Sequence, residues 1–250
     1  MLCENREGNY SFLPGSARYS AGVIASPGYE IVHATLMKPL ALYKGFGAIA
    51  NQLEAQGRPR AALCAVELRC PRPYTFAGFS AFNKSYQALL KRWGIPVNGL
   101  NPLARTNVSP AASGVSEPAL YAFSYTAPLA GRRRYKSFIV AGGGEAAESQ
   151  LGPAGVVRYG ETSEEALKEK AAFVLSTMRE RLAALGASWS EVTAVDIYTV
   201  HNICCLVPGF IPRGIGAASR HALRWYVARP PIKGIEYEMD LRGVRNERYI

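Results

Sequence analysis

The residues with chemistry to offer gather late in the chain, where Glu236 and Glu238 alternate with Ile235 and Tyr237, so that a strand here carries both acids on one face. Sixteen residues before Glu236 stands Arg220, and sixteen before Tyr121 stands Arg105. An arginine thus precedes the same position in both halves, but the acid exists only in the second. A guanidinium grips a planar carboxylate through two parallel hydrogen bonds, and a carboxylate beside water can serve as a general acid or base. Arg224 and Arg229 are alternative anchors if the strand after Arg220 is shifted. On a solvent-facing strand the same two glutamates are solubilising charges.

Other reactive residue types lead to blander readings. Gly142-Gly143-Gly144-Glu145 lacks the Lys-Ser/Thr ending of a phosphate loop and the spacing of a dinucleotide fingerprint. It reads as a tight turn at which backbone approaches a ligand. His33, His201 and His221 are too few and too dispersed for a metal cluster, and His33 in its apolar strand reads as a satisfied core residue. The five cysteines form no CxxC pair, and an odd number argues against a disulfide framework, so they read as reduced thiols, with Cys64 and Cys70 in the core.

Two similar units must position these groups. Residues 162–186 read as a helix, with Thr162 as cap, Glu165 three residues on, and Leu167, Ala171, Val174, Leu175, Met178, Leu182 and Leu185 at helical spacing. Gly186 ends it, and the β-branched run 192–200 reads as a strand. In the first half Leu42, Phe46, Ile49, Ala50 and Leu53 make a helical stripe stopped by Gly57, and 61–70 is the strand. The halves superpose at a constant offset of 129, with Leu53-Glu54-Ala55-Gln56-Gly57 on Leu182-Ala183-Ala184-Leu185-Gly186 and Ala65-Val66-Glu67-Leu68 on Ala194-Val195-Asp196-Ile197. Agreement that continues through the strand indicates duplication. Strand candidates at 28–37 and 137–141 precede the units. A helix over 79–93 follows the first; its counterpart over 201–216 is interrupted by Pro208, Pro212 and several glycines, which predicts a helix shortened or lost. Residues 120–126 either close the first unit or open the second.

A chain of 250 residues accommodates two units of this size. With 48% hydrophobic and 19% charged residues it is globular, not disordered. No stretch has the roughly 18 uninterrupted apolar residues of a membrane helix, and the start lacks the basic cap and apolar run of a secretory signal. A cytoplasmic protein with no membrane partner is expected. The formal charge of +10 is scattered apart from Arg132-Arg133-Arg134 in an expected loop, with no nucleic-acid-binding pattern beside it. A positive potential does attract small anions.

The order of these segments resembles the RidA (YjgF) family. The residues that carry the likeness are Ser137-Phe138-Ile139-Val140-Ala141-Gly142-Gly143, Leu182-x-x-Leu185-Gly186 with 192–198, Ile235-Glu236-Tyr237-Glu238, Tyr19-Ser20-x-Gly22, Phe82-Asn83-x-x-Tyr86 and Pro102-Leu103-Ala104-Arg105. The resemblance implies an α+β fold of two tandem chorismate-mutase-like units, 1–128 and 129–250, each a mixed sheet packed on one face by helices, and a homo-oligomer, usually a trimer. It also implies hydrolysis of an imine or enamine of a small carboxylated metabolite without cofactor or metal, with Arg220 holding the carboxylate and Glu236 placing water. Arg105, Arg224, Glu238, Tyr19 and Gly142 are the implied substrate-binding residues. Chorismatase-like ether hydrolysis and non-catalytic ligand binding are the alternatives.

Overall fold

Both helical stripes form helices, and each is followed by a buried strand. In the computed structural model, which describes residues 1–15, 19–112, 114–131, 135–147 and 152–250, the chain begins with β1 (Cys3–Asn5), β2 (Tyr10–Leu13), β3 (Gly22–Ala25) and the long β4 (Tyr29–Ala41). It continues through α1 (Leu42–Ala55), β5 (Leu63–Arg69), α2 (Phe76–Arg92), β6 (Ala104–Pro110) and β7 (Ala119–Pro128). The second half runs β8 (Phe138–Gly144), α3 (Glu164–Ala184), β9 (Ala194–Tyr198), α4 (Phe210–Ile215), β10 (Arg224–Tyr226), β11 (Ala228–Arg229), β12 (Glu238–Gly243) and β13 (Asn246–Tyr249). Arg132-Arg133-Arg134 lie outside the described residues.

The architecture is α+β, with two mixed sheets backed by helices. A six-stranded sheet has the order β11-β6-β5-β7-β4-β13 and a seven-stranded sheet the order β1-β2-β3-β8-β12-β9-β10. α1 and α2 bury Phe46, Ile49, Leu53, Tyr86 and Leu89 against Val66 and Phe123 of the first sheet. α3 buries Val174, Met178 and Leu182 against Val140, Ile197 and Leu241 of the second. Truncating Phe46 or Leu182 to Ala costs about 2–5 kcal/mol, the range for fully buried side chains of this size. The helix-free faces meet in a mixed layer: Val23, Ile31, Ala65, Ala104 and Ala141 form an apolar part, and in the polar part Thr106 Oγ1 donates to Asp240 Oδ2 at 2.6 Å, Tyr198 OH donates to the same oxygen at 3.0 Å, and Arg242 Nη1 lies 2.7 Å from Asp196 Oδ2.

Local chemistry accounts for the boundaries. Gly57 and Gly186 adopt φ of +61° and +67° just past α1 and α3, the left-handed region that glycine enters at no steric cost. Ser163, one residue later than the expected Thr162, caps α3 by accepting from the Ala166 N–H at 3.2 Å. α4 is reduced to six residues. Residues 120–126 fall inside β7, which pairs with β4 and β5 and so closes the six-stranded sheet.

The sheets do not divide at residue 128. β3 pairs with β8, placing residues 3–25 in the seven-stranded sheet, while β13 pairs parallel to β4 and β11 pairs with β6 in the other. Two expectations need correction. Glu236 and Glu238 do not share a strand, because β12 begins at Glu238; the N–H groups of Glu236 and Tyr237 donate to the buried Glu145 carboxylate at 2.6 and 3.0 Å. Arg220 lies not on a strand but in a 3-10 turn, 216–221, ended by Ala222 at φ +60°.

Candidate functional site

Glu238 opens β12 with its side chain buried, and it shares a cavity of about 490 Å³ with Tyr19, Arg105, Asn107, Gly142 and Arg181. A volume of this order suits a small-molecule site. Burial, the nearby Asp240 and the nearby Glu145 push the Glu238 carboxyl up to about 8, while Arg105 and Arg181 pull it down. The group therefore keeps its proton at neutral pH, and it can donate that proton and take one back.

Gly142 makes room for this carboxyl. A Cβ at position 142 would collide with Glu238 Oε1 and lie 3.1 Å from Thr106 Cα. The expected tight turn at 142–144 is instead extended strand, since all three glycines belong to β8. Side chains approach this strand closely: Met178 and Arg181 pack over Gly143, and Ile235 over Gly144.

Arg105 arrives from the other sheet. Its Nη1 donates to Asn83 Oδ1 of α2 at 2.8 Å, and the guanidinium lies 5.0 Å from the Tyr86 ring centroid and 5.6 Å from those of Tyr19 and Phe79. Aromatic faces and one amide oxygen hold the cation in a planar, oriented state inside the protein. Arg181 Nη1 donates to the carbonyls of Ala141 and Gly142 at 2.8 and 3.4 Å, tying α3 to the glycine strand. Two guanidiniums and one protonated carboxyl thus border one cavity, an arrangement suited to an anionic substrate that needs a proton.

The start of β12 is fixed by a fully buried ion pair. Lys170 Nζ lies 3.1 Å from Glu145 Oε1 and donates to the Val157 carbonyl at 2.7 Å. Burial raises the Glu145 pKa, and the hydrogen bonds from Glu236 and Tyr237 together with the Lys170 charge oppose the rise. The loop that delivers Glu238 is therefore anchored to α3.

Of the residues singled out in the sequence, the cavity gathers Tyr19, Arg105, Gly142 and Glu238 and leaves out Arg220, Arg224 and Glu236. Arg220 is exposed and donates to the Ser190 carbonyl at 2.7 Å and to His221 Nε2 at 3.0 Å. Arg224 lies 3.7 Å from both Asp196 and Glu247. Glu236 is bound by His201 Nε2 at 2.7 Å and by Arg229 Nη1 at 2.6 Å. The expected pairing of Arg220 with Glu236 is not formed, because a turn and a loop stand where two strands were expected. His33 is buried against Ser124, 3.0 Å from its Nδ1, and burial lowers its pKa to about 3, so it is a neutral core residue. Among the described residues no group of three or more His, Cys, Asp or Glu could hold a metal ion, and no helix is long and apolar enough to cross a membrane.

The site also uses residues that sequence reasoning passed over. Arg181 interrupts the apolar stripe of α3 between Met178 and Leu182, as Lys170 does between Leu167 and Ala171, and a cation on a core-facing stripe was a readable signal. Asn107 follows Arg105 by two residues and shares its strand face.

Comparison with known proteins comes to bear on this geometry. A family model described as 2-aminomuconate deaminase CnbZ matches residues 2–248. A 2-amino-5-chloromuconate deaminase of Comamonas testosteroni is 42% identical over 242 residues, 96% of this chain and 95% of its own. Among solved structures, a chorismatase aligns over 89% of this chain and 77% of its own at 12% identity with a TM-score of 0.47. A cyanuric acid hydrolase aligns over 86% and 67% at 11% identity with a TM-score of 0.41. Neither structural likeness is close enough to carry an argument about chemistry.

Proposed function

The chain belongs to the 2-aminomuconate deaminase CnbZ family, and from that premise we propose that its cavity removes the amino group of a small unsaturated dicarboxylate of the 2-aminomuconate type, giving the 2-oxo acid and ammonia. The observation that carries this reading is the buried, protonated Glu238 in one cavity with Arg105 and Arg181. A substrate with a carboxylate at each end calls for two cations, and an enamine between them calls for a proton donor.

An enamine resists water until its β-carbon takes a proton. Glu238 gives that proton, and the amino-bearing carbon becomes an iminium carbon. Water then bonds to this carbon while the C=N π pair moves onto nitrogen, and the Glu238 carboxylate takes the proton that water loses. That proton passes next to the amino nitrogen. The C–N bond breaks with its electron pair on nitrogen as the hydroxyl proton returns to Glu238. One water is consumed, one ammonia leaves, and the carboxyl is restored. Arg105, held flat by its aromatic neighbours and Asn83, grips one substrate carboxylate.

We also read the chain as two RidA-like units, 1–128 and 129–250, that exchange edge strands. Support comes from matched ladders: Glu67 of β5 faces Thr106 and Ala122, and Asp196 of β9 faces Arg224 and Asp240. In that register Arg224 stands where Thr106 stands and Leu223 where Arg105 stands. The first unit then supplies Arg105 and the second supplies Glu238 and Arg181, giving one complete site. A cytoplasmic homotrimer belongs to the same reading, and light scattering checks the assembly.

The test of the proposed function is incubation of the purified protein with 2-aminomuconate. Ammonia and the 2-oxo acid should appear in equal amounts; no release above the uncatalysed rate rejects the reading.

A further inference from the structure

Asn107 is 4% exposed and lines the cavity, yet neither its Oδ1 nor its Nδ2 has a hydrogen-bond partner among the described residues. A buried amide with both ends unsatisfied destabilises a fold, and such groups call for an explanation beyond packing. Its position supplies one. β6 alternates its side chains, so Asn107 projects on the same face as Arg105, about 7 Å further along the strand. If Arg105 holds the carboxylate bonded to the amino-bearing carbon, that carbon lies within reach of the next side chain on this face.

We infer that Asn107 is a further catalytic residue, whose amide binds the tetrahedral aminol formed when water adds to the iminium carbon, Oδ1 accepting from the nitrogen and Nδ2 donating to the new oxygen. The inference rests on the deaminase reading above and adds a residue to it. The aminol carries one nitrogen with hydrogens and one oxygen on a single carbon. A primary amide offers one acceptor and one donor on a single planar group, which complements that pair.

The planar enamine has only the nitrogen, so the Nδ2 donor finds its partner after the C–O bond has begun to form. A hydrogen bond made only at that stage lowers the barrier without tightening substrate binding. When the C–N bond breaks and nitrogen departs with the electron pair, the oxygen becomes a carbonyl and stays on Nδ2, while Oδ1 is released with the ammonia. No further reactant is needed.

The test is Asn107→Leu, which has similar volume and no polar atoms, with Asn107→Ser as a second variant that keeps one hydroxyl. Three quantities are measured: ammonia release from 2-aminomuconate, binding of muconate, which lacks the amino group, and the thermal midpoint. The inference expects kcat to fall about tenfold or more in Asn107→Leu, as for loss of one or two neutral hydrogen bonds made in the transition state. It expects a smaller fall in Asn107→Ser, muconate affinity within about twofold of wild type in both, and a midpoint at or above that of wild type in Asn107→Leu, because an unsatisfied amide has been removed from the interior. A residue that merely holds the fold together would lower the midpoint when replaced.

Retained turnover in Asn107→Leu overturns the inference. So does a loss of turnover that runs parallel to lost muconate binding or a lowered midpoint in both variants. Failure of the underlying deaminase reading shows itself separately, as absence of ammonia release by the wild-type protein, and the inference then falls with it.

Discussion

Arg105 and Glu238 reach one cavity from opposite sheets, Arg105 on β6 of the six-stranded sheet and Glu238 on β12 of the seven-stranded sheet. The site therefore depends on how the two sheets are joined. The Thr106–Asp240 hydrogen bond links the same two strands one residue along β6 and two along β12, and it holds cation and acid at a fixed separation.

Glu238 gives a prediction with opposite signs for activity and stability. Its folded pKa of about 8 lies above its unfolded value, so both states are protonated below about pH 4. As pH rises toward 8 the unfolded chain loses the proton first, and folding stability falls by about 1.4 kcal/mol per pH unit from this group alone. Glu238→Gln should accordingly raise the melting temperature at pH 8 more than at pH 4, by calorimetry. In the wild type, kcat/KM for ammonia release should decline as pH passes through about 8, where the donor is lost.

Gly142→Ala puts a methyl group against the Glu238 carboxyl and the Thr106 backbone. Overpacking of this kind costs about 1–3 kcal/mol. Denaturant unfolding should register that loss, and turnover should fall as the carboxyl is displaced.

Arg105→Lys keeps the charge but loses the planar fork and its stacking on Tyr86. KM should rise about tenfold or more, as expected when a bidentate hydrogen bond becomes a point charge. Arg220→Ala should leave both steady-state constants unchanged, since Arg220 lies on the surface away from the cavity.

Lys170→Met leaves the Glu145 carboxylate buried without its cation. Removing one partner of such a pair destabilises by about 3–5 kcal/mol. The double variant Lys170→Met with Glu145→Gln should recover part of that loss in equilibrium unfolding, while activity stays low if the loop before β12 shifts.

Much of this organisation was legible in the sequence, and the part that was not has a physical origin. Helical spacing with glycine stops located α1 and α3, because side-chain periodicity is a local property. Tyr19, Arg105, Gly142 and Glu238, all singled out in the sequence, line one cavity in the structure. The choice of Glu236 and Arg220 as the working pair relied on a shared spacing of sixteen residues, and spacing equals register only if both segments are strands throughout. Glu145 takes the N–H groups of Glu236 and Tyr237 away from the ladder, and a 3-10 turn takes Arg220 away from it. The first is a tertiary effect with no local signature; the second is a local turn, closed by the Ala222 N–H on the Ser219 carbonyl, that a count of residues does not detect. Strand exchange was hidden for the first of these reasons, since the pairing of β3 with β8 and of β13 with β4 joins segments far apart in the chain.

The central claim is that the acid lies at Glu238 and not at Glu236, and it is tested most directly by comparing ammonia release from 2-aminomuconate by Glu238→Gln and Glu236→Gln at matched folded concentration. The account predicts that Glu238→Gln loses turnover by at least about 100-fold, the scale of a lost general acid, while Glu236→Gln stays within a few-fold of wild type. Full activity in Glu238→Gln, or a loss confined to Glu236→Gln, contradicts it.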